Sequence, residues 1–282
     1  MSTSDDMKLL VDCGGSGVKI RTYVEGVINP HTHRFGPKTF EEFCKCLEDV
    51  ARDGNPSTHP HVTGIAISIC GEYDYVNEGV VRCFAFPFLI GKLRDNLKER
   101  FSCGNVRIVN DGDAHALALK SAYKQNGVSS DSAINLSLGT AVGFGILDWK
   151  GELFHTYFGH DWDVGSWQCD TRARNKALYW ALGSQGLQEL EKKYRIPRAY
   201  ISYGHRLCHF FGHDLVPVFH PKIIGLSGGI VAAHFKDIEE GIRRECEERR
   251  YCASGGPLNG VEIFLSPEKN SVMTGLADIL DQ

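Results

Sequence analysis

The stretch that most restricts what this chain can fold into is Leu9-Leu10-Val11-Asp12-Cys13-Gly14-Gly15-Ser16-Gly17-Val18-Lys19-Ile20-Arg21-Thr22-Tyr23. An apolar run ends in an aspartate, turns through glycines and a serine, and leaves as an alternating run with β-branched and aromatic residues, the pattern of a second strand. Glycine admits turn geometries closed to other residues and lets backbone N–H groups approach an anion. The two common phosphate loops both place a helix after their glycines. Here a strand follows, the third glycine of the dinucleotide pattern is missing, and no Gly-Lys-Ser/Thr occurs in the chain. The stretch predicts a β-hairpin that is either an ordinary turn or a phosphate holder. Lys19, on its second strand, is either a phosphate contact or a solvated strand charge.

The theme returns roughly 125 residues later, which suggests a weak internal duplication. Residues 133–147, Ala133-Ile134-Asn135-Leu136-Ser137-Leu138-Gly139-Thr140-Ala141-Val142-Gly143-Phe144-Gly145-Ile146-Leu147, read as strand, glycine turn with a hydroxyl, and strand. Between the two hairpins a helix is expected from Thr39, with Glu42 completing a capping box and Phe40, Phe43, Leu47 and Val50 on one face. Strands are expected at 61–69, 79–84 and 106–109, a turn at Cys70-Gly71, and helices across 90–101 and from Asn110-Asp111-Gly112-Asp113-Ala114 to about Tyr123. Later come a helical region over 172–193, an irregular His-rich stretch to His220, and a strand at 222–226. Ser227-Gly228-Gly229 then leads into a long helix to about Arg250, followed by a strand at 261–265 and a closing helix near Asn270 or Ser271. Strands alternating with helices indicate an α/β architecture.

With 282 residues the chain is long enough for two domains with separate cores. A net charge of −4 offers no global basis for binding nucleic acid or an anionic membrane. No window holds the ~18 consecutive apolar residues of a spanning helix. Met1-Ser2-Thr3-Ser4-Asp5-Asp6 is polar and acidic, unlike a secretion signal. The ten cysteines are therefore expected as reduced thiols of a cytoplasmic protein.

Taken in order, the turns resemble the actin–hexokinase–sugar kinase superfamily, and within it the ROK sugar kinases with their polyphosphate-glucokinase relatives. Asp12 to Lys19 is similar to the family's first phosphate motif, Asp-x-Gly-Gly-Thr/Ser-x-x-Lys. Gly64-Ile65-Ala66-Ile67-Ser68 with Gly71 resembles Gly-Ile-Gly-x-x-x-Pro-Gly, with Cys70 in place of proline. Asn110 to Ala114 resembles the Asn-Asp-Ala-Asn-Ala catalytic turn, Leu138 to Gly143 the second phosphate motif, and Ser227-Gly228-Gly229 the adenosine turn. Asn270 to Ala277 is similar to the last helix, so the likeness spans nearly the whole chain.

The resemblance implies two ribonuclease-H-like (actin-like ATPase) domains, each a mixed sheet flanked by helices, with a cleft between them. The domains would be 1–112, with the closing helix 270–282 packed back onto it, and 113–269. It implies a sugar kinase moving a phosphoryl group from Mg-ATP to a hexose hydroxyl, glucose being the family's commonest acceptor. Asp111 would be the general base, against a reading from the residues alone as a helix N-cap. Asp12 would hold Mg²⁺ through water, against a plain strand-end turn residue. Gly14, Gly15, Ser16, Gly139 and Thr140 would bind phosphate, with Lys19 as a candidate contact, and Gly228 and Gly229 would admit adenosine. Asn110, Asp111 and His160 would meet sugar hydroxyls. From the residues themselves, Asp113 reads as a helix cap or a first-turn acid acting with the helix dipole.

Two departures stand out. Tyr157-Phe158-Gly159-His160 has Tyr157 where the family carries a sugar-binding glutamate, and only Cys169 remains of the cysteine zinc module, so no structural zinc is expected. Polyphosphate as donor, another alcohol as acceptor, and a non-catalytic sugar- or nucleotide-sensing protein stay open as alternatives, and a homodimer is the candidate assembly. His205, Cys208, His209 and His213 have helical spacing that suits either zinc or a packed, partly exposed helix, the latter being expected. Cys44 and Cys46 read as structural, and residues 243–250 as a solvated helix face.

Overall fold

The computed structural model describes residues 6–54, 61–83, 85–125, 132–140, 142–155, 181–266 and 271–281. They form two compact units. The first holds the described residues up to Ser121 together with His155 and those from Val272; the second holds Ala122 to Phe154 and the described residues on to Ser271.

The first unit is built on β1 (Met7–Gly14), β2 (Gly17–Val24), β3 (Val27–Ile28), β4 (His33–Phe35), β5 (Val62–Ile69) and β8 (Asn105–Asn110), with the hairpin β6 (Gly71–Asp74) and β7 (Gly79–Cys83) beside them. The sheet order is β3-β2-β1-β5-β8, with β4 also on β2; β1 runs antiparallel to β2 and parallel to β5, and β5 parallel to β8. The period of two along a strand sorts β1 cleanly. Leu9, Val11 and Cys13 join a core with Phe43, Leu47 and Val50 of α1 (Phe40–Gly54) and Leu93 and Leu97 of α2 (Leu93–Phe101). Leu10 enters a separate core with Ala114 of α3 (Asp111–Gln125) and with Val272, Met273 and Leu276 of the closing helix (Ser271–Leu280).

Local chemistry explains the boundaries. Thr39 Oγ1 accepts the Glu42 N–H at 3.1 Å, while the Glu42 carboxylate reaches the Lys38 N–H at 2.7 Å, one residue earlier than a capping box requires. The helix expected from Ile90 begins only at Leu93. Val80 and Gly91 exchange backbone hydrogen bonds of 3.0 and 2.8 Å, which tie that segment to β7. Helix α3 runs unbroken across residues 112 and 113, where the domain boundary was expected, and the first unit reaches Ser121. The closing helix is tied down by Ser121 Oγ on Asp278, Tyr23 OH on Asp281 and a 2.8 Å Lys8–Asp281 ion pair.

The second unit repeats the strand plan with β9 (Ala133–Leu138), β10 (Val142–Leu147), β11 (Ile223–Ser227) and β12 (Glu262–Leu265), in the order β10-β9-β11-β12. β9 and β10 form the antiparallel hairpin, and β11 and β12 follow in parallel. Its helices are α4 (Ser184–Lys193), α5 (Arg198–Phe210), a short α6 (Val216–Phe219) and α7 (Gly229–Arg249); the closing helix is α8. The stretch to His220 is more regular than the sequence suggested, and the packed helix expected around His205–His213 is present. From Arg198 to Phe219 it is helical, with one π turn at Phe211–Leu215. Tyr200, Tyr203, Leu207, Phe210 and Phe211 bury one face of it, and that burial outweighs the histidines and glycines that read as breakers. Pro217 lacks an N–H and sits in the turn right after the widened π segment, where the loss costs least.

His205, Cys208, His209 and His213 diverge within that helix. His205 Nδ1 lies 3.3 Å from Glu245, Cys208 faces Cys246, and His209 and His213 both contact the Tyr251 hydroxyl. Among the described residues no group of three acids, thiols or imidazoles is placed to hold a metal, and no helix is long and apolar enough to cross a membrane.

Candidate active site

The predicted catalytic turn lies at the junction of β8 and α3. Asn110 ends the strand, and its Oδ1 accepts the Gly112 N–H at 2.7 Å, so it is Asn110 that caps the helix from outside. Its amide nitrogen donates to the Gly71 carbonyl, and its backbone N–H donates to the Tyr75 hydroxyl at 3.1 Å. Both ends of the side chain predicted to meet a sugar hydroxyl are thus engaged with the protein itself. Asp111 accepts the Gly112 N–H at 2.9 Å through Oδ1. Burial, then the charge of Asp12, push its carboxyl up to about 7, against the pull of the Gly112 N–H.

Asp12 closes β1, is 7% exposed, and is held by Lys19 Nζ at 2.7 Å across the hairpin, where the two residues are register partners. Lys19 is thus the ion-pair partner of Asp12 and neutralises the predicted metal-holding carboxylate. Gly14 and Gly17 close the hairpin as register partners, leaving Gly15 and Ser16 exposed at its tip. The Ser68 hydroxyl, next to Asp12 in the parallel register, is buried with no partner. Two hard-oxygen carboxylates, Asp12 and Asp111, that feel each other's charge suit a divalent cation that keeps most of its water, so this donor set fits Mg²⁺.

A network around Asp113 escaped the sequence reading. Asp113 is the first-turn acid of α3, one of its two readings from the sequence; it is 2% exposed, receives the Tyr75 hydroxyl, and lies 3.0 Å from His155 Nε2. His155 stacks on Tyr75 with centroids 3.7 Å apart. Since Tyr75 also accepts the Asn110 N–H, the network holds the turn that carries Asp111. One helical turn beyond Asp111, burial lowers His115 to about 4, with Lys19 reinforcing and Asp12 opposing, so it is neutral at physiological pH. Cys70, which stands where the family has proline, hydrogen-bonds Asp111 and is raised to about 12, first by the Asp111 charge and then by burial. Only the residue types hinted at this: an acid one turn into a helix, a tyrosine after a hairpin strand.

In the second unit Thr140 is exposed at the β9–β10 tip, and Gly139 is half-buried. The Gly139 carbonyl accepts the Ser184 N–H at 3.0 Å, and Ser184 Oγ donates to the Thr140 carbonyl at 3.4 Å, so the start of α4 braces the tip. Gly228 has φ +94°, and a Cβ there would lie 2.5 Å from the Leu138 carbonyl. The adenosine-type turn thereby closes directly onto the end of β9, which only glycine permits. Gly229 opens α7 with open space beside it. Asn135 and Ser227 join at 3.0 Å beneath. A cavity of about 270 Å³ between α4, α5 and α7, lined by Lys193, Tyr194, His205, Arg206 and Glu245, contains none of the predicted site residues. His160, Tyr157, Cys169 and Asn270 lie outside the described residues.

No family model matches the sequence, and no curated protein matches it either. Solved structures do match. A ROK family protein from Streptococcus pneumoniae in complex with sucrose superposes with TM-score 0.74 at 16% identity, covering 98% of each chain. A ROK family transcriptional regulator, a homologue of the E. coli Mlc protein, gives TM-score 0.74 at 17% identity over 98% of this chain and 78% of its own. A ROK family glucokinase from Streptomyces griseus in complex with glucose and AMPPNP gives TM-score 0.69 at 20% identity over 97% and 98%. At these identities the likeness establishes architecture: the chain has the α/β fold, with mixed sheets flanked by helices, that ROK sugar kinases and ROK regulators share.

Proposed function

We propose that the protein is a sugar kinase that transfers a phosphoryl group from Mg-ATP to a hexose hydroxyl, with Asp111 as general base. The observation that carries this reading is Asp111 itself, a carboxyl on a rigid strand–helix junction whose affinity for a proton is raised to about 7. A base tuned near the working pH takes a hydroxyl proton and releases it again, and such assistance is worth ~10²–10⁴-fold. Asn110 and the Asp113–Tyr75–His155 network hold that carboxylate in place. Mg²⁺, when held by Asp12 through water, would neutralise phosphate charge. Lys19 must then release or share Asp12. Gly14, Gly15 and Ser16 in the first unit, and Gly139 and Thr140 in the second, offer N–H and hydroxyl groups to phosphate, and Gly228 and Gly229 offer bare backbone to adenosine. A homodimer in the cytoplasm is the expected state.

A coupled assay of the purified protein against a panel of sugars and amino sugars, with ATP and then polyphosphate as donor, tests the proposal. Turnover with one sugar, abolished by Asp111→Asn, supports it; no turnover with any pair refutes it. The second reading is a non-catalytic sugar- or nucleotide-sensing protein. Lys19 already neutralising Asp12, Tyr157 in place of glutamate, and the regulator among the structural matches favour it. A sensor binds sugar or nucleotide by calorimetry without transfer.

A further inference from the structure

Three cysteines of the second unit meet at one seam. Cys208 lies on α5, Cys246 on α7, and Cys252 in the turn that follows α7. Cys208 Sγ is 3.2 Å from Cys246 Sγ, and Cys252 also hydrogen-bonds Cys246. Exposure falls in steps, from Cys252 at the surface through a half-buried Cys246 to a buried Cys208.

The helices are held this close by their backbones. A Cβ on Gly204 of α5 would lie 2.3 Å from the Ile238 carbonyl, and one on Gly241 of α7 would lie 2.1 Å from the Ile201 carbonyl. Cys208 comes about one turn after Gly204, and Cys246 little more than one turn after Gly241, so the thiols ride on the same tight crossing.

Cys246 is the centre of the group. The S–H of Cys208 above all, and also that of Cys252, favour its thiolate and lower it from the ordinary thiol value, against burial and the charges of Glu245 and Glu247. Cys252, by contrast, is raised, first by burial and then by its bond to Cys246. The thiolate is the nucleophile toward peroxides, so Cys246 combines partial access with the reactive form.

We propose that Cys246 is an oxidation site for hydroperoxides, and that Cys208 resolves it into a disulfide joining α5 to α7. The Cys246 thiolate attacks a peroxide oxygen and the O–O bond breaks. The sulfur loses two electrons, the peroxide gains them, and water or an alcohol leaves with a proton from solvent. Cys208 sulfur then attacks the sulfenic sulfur, the S–O bond breaks, and the hydroxide departs as water with the Cys208 proton. The proposal does not depend on the phosphoryl-transfer reading.

The test treats the full reduced chain with hydrogen peroxide and maps peptides by mass spectrometry without reductant. The expected result is the loss of two hydrogens per chain in a Cys208–Cys246 linked peptide, reversed by dithiothreitol. Cys246→Ser should abolish that peptide and slow peroxide consumption roughly tenfold. Cys252→Ser, at an exposed position, should still form it. A folded wild-type chain with no such peptide, a Cys246–Cys252 bridge in its place, or loss of the Cys208–Cys246 peptide in Cys252→Ser would each overturn the assignment.

Discussion

In the first unit the hairpin β1–β2 lies beside two parallel strands, β5 and β8; in the second, β9–β10 lies beside β11 and β12 in the same order. The hairpins differ in what they carry. Near the tip of the first, Asp12 faces Lys19 across the strands, and the sheet goes on to present Asp111 and Asp113 at the end of β8. Counted back from its own tip, the second hairpin faces Leu136 with Phe144, and its sheet's two central strands carry Asn135 and Ser227 joined to each other. One plan thus serves two chemistries. In the first unit the turn carries ionisable side chains, tuned by burial and by one another. In the second the tip is backbone and hydroxyl, braced by Ser184 and closed by Gly228.

That division can be broken experimentally. The largest effect should come from Asp111→Asn, which is expected to cut turnover ~10²–10⁴-fold in the coupled assay. Binding of an ATP analogue, measured by calorimetry, should stay within about threefold if the second unit supplies most nucleotide contacts. Turnover above a tenth of wild type would remove Asp111 from its role.

Next in size is Gly228→Ala. A side chain at φ +94° and 2.5 Å from the Leu138 carbonyl has no relaxed position. The change should cost about 2–4 kcal/mol in urea denaturation. Hydrogen exchange should show the loss concentrated in β9, β11 and α7, with β1 and β5 protected as before; uniform loss would show that the units do not open separately.

A third prediction concerns pH. Asp111 is raised from 3.8 to about 7 in the folded chain, so its contribution is present below about pH 4 and is lost as pH rises toward 7. His115 is lowered from 6.5 to about 4, so its contribution is present above pH 6.5 and lost as pH falls toward 4. The two slopes oppose each other across the same window, and together they predict a shallow pH–stability profile for the first unit. Asp111→Asn should unmask the His115 slope and raise stability above pH 7 by roughly 2–4 kcal/mol, while abolishing turnover. No gain at pH 8 would show that Asp111 is not destabilised by its surroundings. The smallest effect should come from Ser184→Ala. It removes one long hydrogen bond to the Thr140 carbonyl and should raise the KM for nucleotide no more than about threefold, with kcat unchanged.

Much of this was legible in the amino-acid order because it depends on neighbours in the chain. The turn Gly14–Gly17 between alternating runs defines the hairpin, Thr39 and Glu42 mark the start of α1, and Asn110-Asp111 marks a strand–helix junction. The helix through 198–219 was legible around His205–His213, where the spacing is helical; over the rest its glycines and histidines weigh against helix locally, and its stability comes from contacts far along the chain, such as Gly204 on Ile238.

The residue order alone determined the two hairpins, the alternation of strands and helices, and the candidate acids Asp12 and Asp111. Only the tertiary structure decided that Lys19 pairs with Asp12, that Asn110 bonds the Gly71 carbonyl, and that the first-turn acid Asp113 meets Tyr75 and His155. The reason is physical: strand periodicity and turn geometry are set within a few residues. The partner and proton affinity of a charged group depend on what burial places around it, and those groups come from β5, α3 and a segment more than forty residues further along.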